Sequence, residues 1–548
     1  DHIELEQLWY RVYKAFSYGD VMITLGTGKL TCKEIKEFGL VGEHNYAILD
    51  MNDSHSRQLL VKNPWCDGMI WRSSNNISTT QQNFHHKKSV RDHQDAPQTL
   101  PKALPGVFWM EFQRVAQHFD SMYLNWNPAL FRHRQDFHFS WEIPEFHCSR
   151  SLINNPQYTL RSSTKETIWA VLSRHFSAKE QNISASIDGS QAKASNRLGY
   201  ISLFVFKTNG HRVYIDDGEF YRGAFVDSPQ TLARFEVSPS VAYTIVVGQH
   251  GLPLSKYSFT LSFFSRFSLE VKNAEHRLNF FSKYSGSWSS RTAGGNMNFS
   301  TYPENPQFYI SVPAKTDIEL FLESDQQNLA VRADMVWAGG DRVTSISSKD
   351  IVGGTGDYRY GCALNSIKSV AADKYTIVCS AFESGRVGNY ILHVGTSVLC
   401  QIKPLLSETA GRLSLKLTPI LFPEKTDRML APLKVTRLTN LRIIARSKLP
   451  NAELQMPYSR PLLKLTLLRG RGPNKIVMSK SSGGEYSDAP MGVRLGDVNL
   501  TPNMSLQEGL WIVIERFGGR KVTDSVEIEV LSDISVTIGS WDTCSGPL

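Results

Sequence analysis

A histidine and an asparagine flank two short apolar runs near the start of the chain. His44 comes directly before the run at 45–50, and Asn63 comes directly after the run at 58–62. The polar residues between the runs suit a hairpin loop, so the segment is predicted to form two antiparallel strands. The histidine and the asparagine then lie at the same end of the hairpin.

This placement suits an imidazole base held by an amide. Pairing of Asp50 with Arg57 would put His44 opposite Asn63, with β-carbons about 5 Å apart. An amide oxygen that accepts a hydrogen bond from one ring nitrogen fixes the tautomer and leaves the other nitrogen facing a nucleophile. Trp65 could keep water off this hydrogen bond. A hairpin with an incidental histidine and asparagine explains the same spacing.

Other elements are needed to support the hairpin. Residues 4–17 have apolar side chains at helical spacing, and residues 21–25 are predicted to form a strand. Thr31 and Glu34 have the spacing of a capping box at the start of a short helix. Apolar residues at 108, 109, 112, 115 and 119 indicate a further helix face.

Two motifs resemble a known family. The segment GEHNYAILD at 42–50, followed by VKNPW at 61–65, resembles the second half of the protease core of calpain-like (papain-like) cysteine proteases. The similarity is greatest to the fungal PalB type, which acts in alkaline-pH signalling. The resemblance implies that His44 is the general base, that Asn63 orients it, and that Trp65 shields the pair.

The resemblance also implies a cysteine nucleophile at a helix start, well before the histidine. Cys32 is the only cysteine before His44, and it lacks the flanking residues of the family. Cys66 lies on the wrong side of the hairpin end. Because the sequence begins at Asp1 without a signal segment, we interpret it as a fragment or a processed chain. We expect it to lack the nucleophile and to be inactive alone.

No metal or cofactor is expected. Animal calpains bind calcium in this half of the core through acidic residues. Here Asp67 remains in the Asn-Pro-Trp loop, but Ile70 precedes Trp71, and Pro105 and Val107 stand where the family has acids on either side of Gly106. Ca²⁺ requires about six to eight oxygen ligands. The sequence therefore predicts calcium-independent behaviour.

The composition limits the class of protein. With 548 residues and 41% hydrophobic residues, about three to five globular domains are expected. Seven irregularly spaced cysteines favour a reducing compartment. No apolar run approaches the about 18 residues needed to cross a bilayer. A net charge of +8 permits contact with anionic membranes or acidic proteins and does not indicate nucleic acid.

The expected fold class is α+β, with the C-terminal half of a papain-like/calpain protease core followed by tandem antiparallel β-sandwich (calpain C2-like) domains. The motif Asn-Pro-Gln at 155–157 recurs at 305–307, which indicates two copies of one unit. A strand at 137–143 is expected to close the first domain. The expected domains are 1–145 with a disordered insertion at 72–104, then sandwiches at 146–272, 276–400 and 401–548.

By resemblance, the activity would be limited proteolysis of a zinc-finger transcription factor. The protein would be cytoplasmic and recruited to endosomal or plasma-membrane platforms through an ESCRT-III subunit. The alternative is a non-catalytic adaptor that acts through its β-sandwiches. Lipid binding is a third hypothesis, because residues 442–480 are rich in Arg and Lys with almost no acids.

Overall fold

The computed structural model describes most of the chain, and its residues form two compact units. The first unit comprises the described residues up to Gln135 together with Phe263–Ser268, and the second comprises the others. The predicted insertion at 72–104 lies outside the described residues. The described residues are 5–54, 56–65, 106–146, 148–175, 177, 179, 199–423, 426–448, 461–488, 490–518 and 525–543.

The first unit is built on one five-stranded sheet. Its strands lie in the order β4-β3-β2-β1-β5. Trp9 and Val12, on one face of α1, are buried in its core together with Leu25 and Leu59. The elements are α1 (Leu5–Ser17), β1 (Val21–Gly26), α2 (Cys32–Phe38), β2 (Asn45–Asn52), β3 (Gln58–Lys62), β4 (Val107–Glu111), α3 (Phe112–His118) and β5 (Ser121–Trp126).

The predicted capping box at the start of α2 is confirmed. The Glu34 backbone N–H donates to the Thr31 hydroxyl, and the Thr31 backbone N–H donates to the Glu34 carboxylate. Gly39 ends the helix in the left-handed conformation, at φ 71°. This local signal determines α2 without help from the rest of the fold.

The predicted hairpin register is wrong. Asp50 pairs with Leu60 rather than with Arg57, because β2 continues further and the loop is shorter than expected. A bulge then shifts the pairing, so that Ala47 lies opposite Lys62. An extra residue in one strand changes the pairing of all residues beyond it. The ladder therefore does not place residues 44 and 63 opposite each other.

The helix predicted across residues 108–119 is only half correct. Residues 107–111 form β4, in which Phe108 and Met110 are buried and Trp109 is exposed. The helix α3 begins at Phe112. Burial of alternate residues is the pattern of a strand. Apolar residues at 108 and 112 fit both periods, so spacing alone did not locate the change from strand to helix.

Two antiparallel sheets, most of whose residues belong to the second unit, have the orders β10-β9-β12-β7-β14 and β11-β8-β13-β6. The strand predicted to close the first domain is β6, and it belongs to the second of these sheets. The strands are β6 (His133–Glu142), β7 (Gln157–Ser162), β8 (Glu166–Arg174), β9 (Tyr200–Phe206), β10 (Tyr221–Arg222), β11 (Gln230–Val237), β12 (Tyr243–His250), β13 (Lys256–Ser265) and β14 (Leu269–Asn273).

Two more sheets follow, in the orders β15-β23-β17-β21 and β19-β18-β22-β16-β24, with β20 also paired to β18. Buried side chains from both sheets form one core, which includes Trp288 and Leu320 from one sheet and Ile310 and Ile377 from the other. The strands are β15 (Phe280–Trp288), β16 (Gln307–Val312), β17 (Thr316–Ser324), β18 (Ala330–Val336), β19 (Ile351–Gly354), β20 (Arg359–Tyr360), β21 (Cys362–Val370), β22 (Asp373–Ala381), β23 (Gly388–Thr396) and β24 (Gln401–Leu405).

The last two sheets have the orders β25-β34-β28-β31 and β30-β29-β33-β27-β35. The strands β26, β32 and β36 pair with β34, β28 and β27. The elements are β25 (Leu413–Lys416), β26 (Ile420–Leu421), β27 (Arg428–Lys434), β28 (Thr439–Lys448), β29 (Leu462–Arg469), β30 (Ile476–Lys480), β31 (Val493–Arg494), β32 (Val498–Leu500), α4 (Pro502–Gln507), β33 (Leu510–Phe517), β34 (Ser525–Ser532), β35 (Thr537–Ile538) and β36 (Asp542–Thr543).

The described helices are short. Turns of 3-10 helix lie at Pro128–Leu130, Tyr302–Glu304, Ser348–Asp350 and Ser481–Gly484. In the part of the chain that the structure covers, none of the helices has the length and apolar composition needed to cross a membrane.

The sequence repeat carries similar hydrogen bonds in both copies, which differ in one carbonyl that the glutamine contacts. In the first copy, Gln157 Nε2 donates to the carbonyls of Leu152 and Val213 at 2.7 and 2.8 Å. Its Oε1 accepts from the Val213 N–H at 2.8 Å. Arg212 then donates to the carbonyls of Ile153 and Asn155. A buried amide and a guanidinium thus hold the segment before β7 against a distant loop.

In the second copy, Gln307 Nε2 donates to the carbonyls of Pro303 and Val343 at 3.2 and 3.0 Å. Its Oε1 accepts from the Val343 N–H at 2.7 Å. Arg342 donates to the carbonyls of Pro303 and Asn305. The repeated motif therefore marks one hydrogen-bonding arrangement that is used twice.

Truncation of Gln307 should destabilise the second copy. Gln307 is 1% exposed, so Gln307→Ala leaves the Val343 carbonyl and N–H without their side-chain partner in a buried site, while the Pro303 carbonyl keeps its hydrogen bond from Arg342. We expect the free energy of unfolding to fall by about 1–3 kcal/mol. Urea unfolding of the whole chain measures the change, and Gln401→Ala, at an exposed position, is the control. Equal unfolding midpoints for the two variants would contradict the assigned role.

Candidate active site

The predicted imidazole–amide contact is present in the first unit. His44 lies one residue before β2 and Asn63 one residue after β3, so the side chains meet at the ends of adjacent strands. The distance between His44 Nε2 and Asn63 Oδ1 is 2.8 Å. His44 is 7% exposed and Asn63 is 2% exposed. The contact forms although the predicted register was wrong.

The neighbouring backbone shows which group donates the hydrogen bond between His44 and Asn63. Asn63 Oδ1 also accepts a hydrogen bond from the Trp65 backbone N–H at 3.0 Å. A backbone N–H can only donate, so the amide atom between the two groups must be the oxygen. His44 Nε2 must therefore carry a hydrogen, and the lone pair of the neutral ring is on Nδ1. The described residues provide no hydrogen-bond partner for Nδ1, which is the nitrogen left to take a proton.

Thr27 fixes the backbone of His44. The Thr27 N–H donates to the His44 carbonyl at 2.9 Å, and the His44 N–H donates to the Thr27 hydroxyl at 3.1 Å. The same hydroxyl lies 2.6 Å from the Val41 carbonyl, to which it donates. Thr27 directly follows β1 and is buried. The imidazole is therefore held at its backbone as well as at Nε2.

Two aromatic side chains flank the imidazole. The Tyr46 ring meets it edge-on, with centroids 5.0 Å apart at 80°. Burial raises the pKa of the Tyr46 hydroxyl, which accepts a hydrogen bond from the Val41 N–H. The Trp65 ring lies 4.1 Å from the imidazole centroid. Trp65 itself is 57% exposed, so one part of its surface contacts the imidazole and another faces solvent.

Gly106 allows the chain before β4 to approach Asn63 closely. Its carbonyl accepts a hydrogen bond from the Asn63 N–H at 2.9 Å. Gly106 has φ 72°, and a β-carbon there would lie 3.3 Å from the Asn63 carbonyl oxygen. A left-handed conformation and a close contact both favour glycine.

Sequence reasoning did not assign roles to Thr27, Tyr46 or Gly106 in this site. Residues two apart on a strand point to the same face, so Tyr46 could have been linked to His44. For Thr27 the only sequence signal was its place between two glycines after a strand. The contact of Thr27 with the His44 backbone depends on the pairing of β1 with β2, which the local sequence does not predict.

The structure shows no hydrogen bond that would link Cys32 to the pair among the described residues. Cys32 is exposed, in the first turn of α2. Cys66 lies outside the described part, as do Asp67, Ile70, Trp71 and Pro105 from the calcium argument. The prediction of calcium independence is therefore untested.

Two family models match the chain. The model described as "Calpain family cysteine protease" matches residues 1–125, which include His44, Asn63 and Trp65. The model described as "Calpain-like protease palB-like, C-terminal domain" matches residues 408–545, which contain the last pair of sheets. Both ends of the chain thus match models of calpain-type proteins.

Relatives match over nearly the whole chain. The calpain-like protease palB/RIM13 of Aspergillus oryzae is 39% identical over 545 residues, covering 99% of this chain and 62% of the relative. The calpain-like protease palB/cpr-8 of Neurospora crassa is 33% identical over 641 aligned positions, which cover 99% of this chain and 67% of the relative. Human calpain-7 is 27% identical over 417 residues, which cover 72% of this chain and 48% of that protein. The chain thus spans about three fifths of the first relative's length, and it belongs to the calpain-like cysteine protease family, within the palB group.

Proposed function

We propose that this chain carries the base half of the active site of a calpain-type cysteine endopeptidase. His44 is the general base, Asn63 orients and stabilises it, and Trp65 shields their hydrogen bond. The observation that carries the proposal is the 2.8 Å contact between His44 Nε2 and Asn63 Oδ1. That contact leaves Nδ1 free to accept a proton, within a segment that matches the calpain protease family.

The cysteine nucleophile is supplied by another segment of the full-length protein. Cys32 is exposed and makes no hydrogen bond to His44 among the residues described, and it lacks the family's flanking residues. A thiol from another segment of the full-length protein would meet Nδ1. This chain alone is then inactive on peptide bonds.

The pair supports both proton transfers of cysteine protease chemistry. His44 Nδ1 takes the thiol proton, and the thiolate attacks the peptide carbonyl. Asn63 Oδ1 stabilises the imidazolium through the hydrogen bond that it already accepts from Nε2. The imidazolium then gives its Nδ1 proton to the leaving amine, so the base is restored for the hydrolysis step.

The six sheets of the second unit are three β-sandwiches that follow the half-core. Support comes from the core that two sheets share around Trp288 and Leu320. A second shared core contains Ile443 from one sheet and Leu465 from the other. The similar networks around Gln157 and Gln307 support two copies of one sandwich.

The biological role follows from the family. As a member of the palB group, the full-length protein would cleave a zinc-finger transcription factor during fungal ambient-pH signalling. It would act in the cytoplasm, at endosomal or plasma-membrane platforms that contain an ESCRT-III subunit. The five described cysteines are all free thiols, which suits a reducing compartment.

Removal of the imidazole should abolish proteolysis by the full-length protein. We expect His44→Ala to lower kcat/KM by at least the about 10²–10⁴-fold that a general base contributes. Asn63→Ala should cause a smaller loss, because the base remains but its orientation is lost. The measurement is cleavage of an unfolded protein substrate, with thermal unfolding to verify folding. His133→Ala, at an exposed position, is the control. Unchanged proteolysis in His44→Ala would contradict the role of His44 as the base, whereas no proteolysis by the wild-type full-length protein would favour the adaptor hypothesis.

Trp65 can be tested in this chain without the nucleophile. In protein labelled with ¹⁵N-histidine, the Nε2–H of His44 should exchange slowly with water, because Asn63 holds it and Trp65 covers it. We expect Trp65→Ala to accelerate this exchange and Trp65→Phe to have less effect, since phenylalanine retains a ring. Equal exchange rates in the wild-type chain and Trp65→Ala would show that Trp65 does not shield the pair.

Calcium removal should leave proteolysis unchanged. Pro105 and Val107 flank Gly106 and provide no carboxylate, whereas Ca²⁺ binds through several carboxylate oxygens. We expect the full-length protein to have the same kcat/KM in EGTA and in millimolar calcium. Activation by calcium that EGTA reverses would contradict this prediction.

A further inference from the structure

The outer face of the sheet β30-β29-β33-β27 contains a charged cavity. Leu463, Leu465 and Leu467 of β29 point into the core, so Lys464 and Thr466 point to the opposite face. A cavity of about 340 Å³ lies on that face. Its polar lining consists of Arg428, Lys464, Thr466, Lys475, Lys480 and Glu515.

A bulge in β30 brings one of these lysines to the cavity. Leu468 pairs with Val477, whereas Thr466 pairs with Lys480, so one residue of β30 is extra. On a regular strand, residues three positions apart such as Val477 and Lys480 would point to opposite faces. The bulge places both on the cavity side and sets Lys480 directly across from Thr466.

The lining is positively charged. Glu515 contacts Arg428 at 2.5 Å and Lys464 at 3.6 Å, and it is the one carboxylate among four cationic side chains. In the described part of the chain, no acidic side chain forms an ion pair with Lys480. A concave surface with excess charge of one sign concentrates ions of the opposite sign.

Two other basic residues of the 442–480 segment, Arg442 and Arg446, are paired with acidic side chains. Arg446 pairs with Glu529 at 2.8 Å, and Arg442 pairs with Asp497 at 3.1 Å. Arg442 and Arg446 both lie on β28, which belongs to the other sheet of this pair. The described basic residues of the segment therefore do not form one surface: Arg442 and Arg446 pair with acids on one sheet, whereas Lys464, Lys475 and Lys480 line the cavity on the other.

A second, independent feature of the cavity is an unpaired hydroxyl. Thr466 is 6% exposed, and its Oγ1 has no hydrogen-bond partner. A buried hydroxyl without a partner is uncommon and costs free energy. An anion bound against this wall would provide the missing acceptor, in the same place where the positive charge is in excess.

We propose that this cavity binds a phosphate group carried by a small molecule or a lipid headgroup. Guanidinium and ammonium groups are the usual partners of phosphate, and Arg428 with Lys464 and Lys480 provides both types. The cavity volume is within the range of small-ligand sites. This site is separate from the proposed protease function and does not depend on it.

Binding of inositol hexakisphosphate to the whole chain, measured by calorimetry, tests the site. We expect Lys480→Gln to weaken binding about fivefold. Thr466→Val should also weaken binding without lowering the unfolding temperature, because it removes a hydroxyl that has no partner in the free protein. Lys434→Gln is the matched control, at an exposed lysine near the far end of β27, and should bind like the wild type.

Vesicles distinguish the two sources of phosphate. If vesicles containing phosphorylated phosphatidylinositol bind the chain, and phosphatidylserine vesicles of equal charge do not, the ligand is a lipid headgroup. If the chain binds inositol hexakisphosphate but neither vesicle, the ligand is a soluble phosphate. The proposal is overturned if inositol hexakisphosphate does not bind. It is also overturned if Lys480→Gln and Lys434→Gln bind it equally, since binding would then reflect net charge.

Discussion

One amide oxygen determines the geometry of the candidate active site. Asn63 Oδ1 accepts hydrogen bonds from His44 Nε2 and from the Trp65 backbone N–H. These two bonds fix the tautomer of the imidazole, and they turn the chain after β3 so that the Trp65 ring covers the imidazole. The close approach at Gly106 supports the amide from the other side. A change at this oxygen would therefore affect the His44 tautomer, the orientation of the imidazole and the position of Trp65 together.

Buried amides recur elsewhere with a different task. Gln157 and Gln307 each use both the donor and the acceptor of the side chain to hold backbone groups of a distant loop. Those backbone groups do not change protonation, so the two glutamines only stabilise the fold. Asn63 instead accepts a hydrogen bond from an imidazole, and in the proposed function that bond would strengthen when the ring takes a proton from the nucleophile.

Several features could be read directly from the sequence because they are local. The capping box of α2 depends on Thr31 and Glu34, three residues apart, and it formed as predicted. The repeated Asn-Pro-Gln motif identified two segments with similar hydrogen bonds. The strand at Phe108 was mistaken for helix, because its apolar spacing fits both periods and its burial depends on the neighbouring strand β3.

The sequence by itself determined which residues form the site: a histidine and an asparagine at the open end of a hairpin, followed by a tryptophan. Only the tertiary structure decided the strand register, the nitrogen that carries the hydrogen, and the contact with Thr27. It also decided which basic residues are paired with an acid, since Arg446 meets Glu529 across paired strands whereas Lys480 lines a cavity. The physical reason is that hydrogen bonds and ion pairs depend on distance in space, and strand pairing brings together residues that are far apart in the chain.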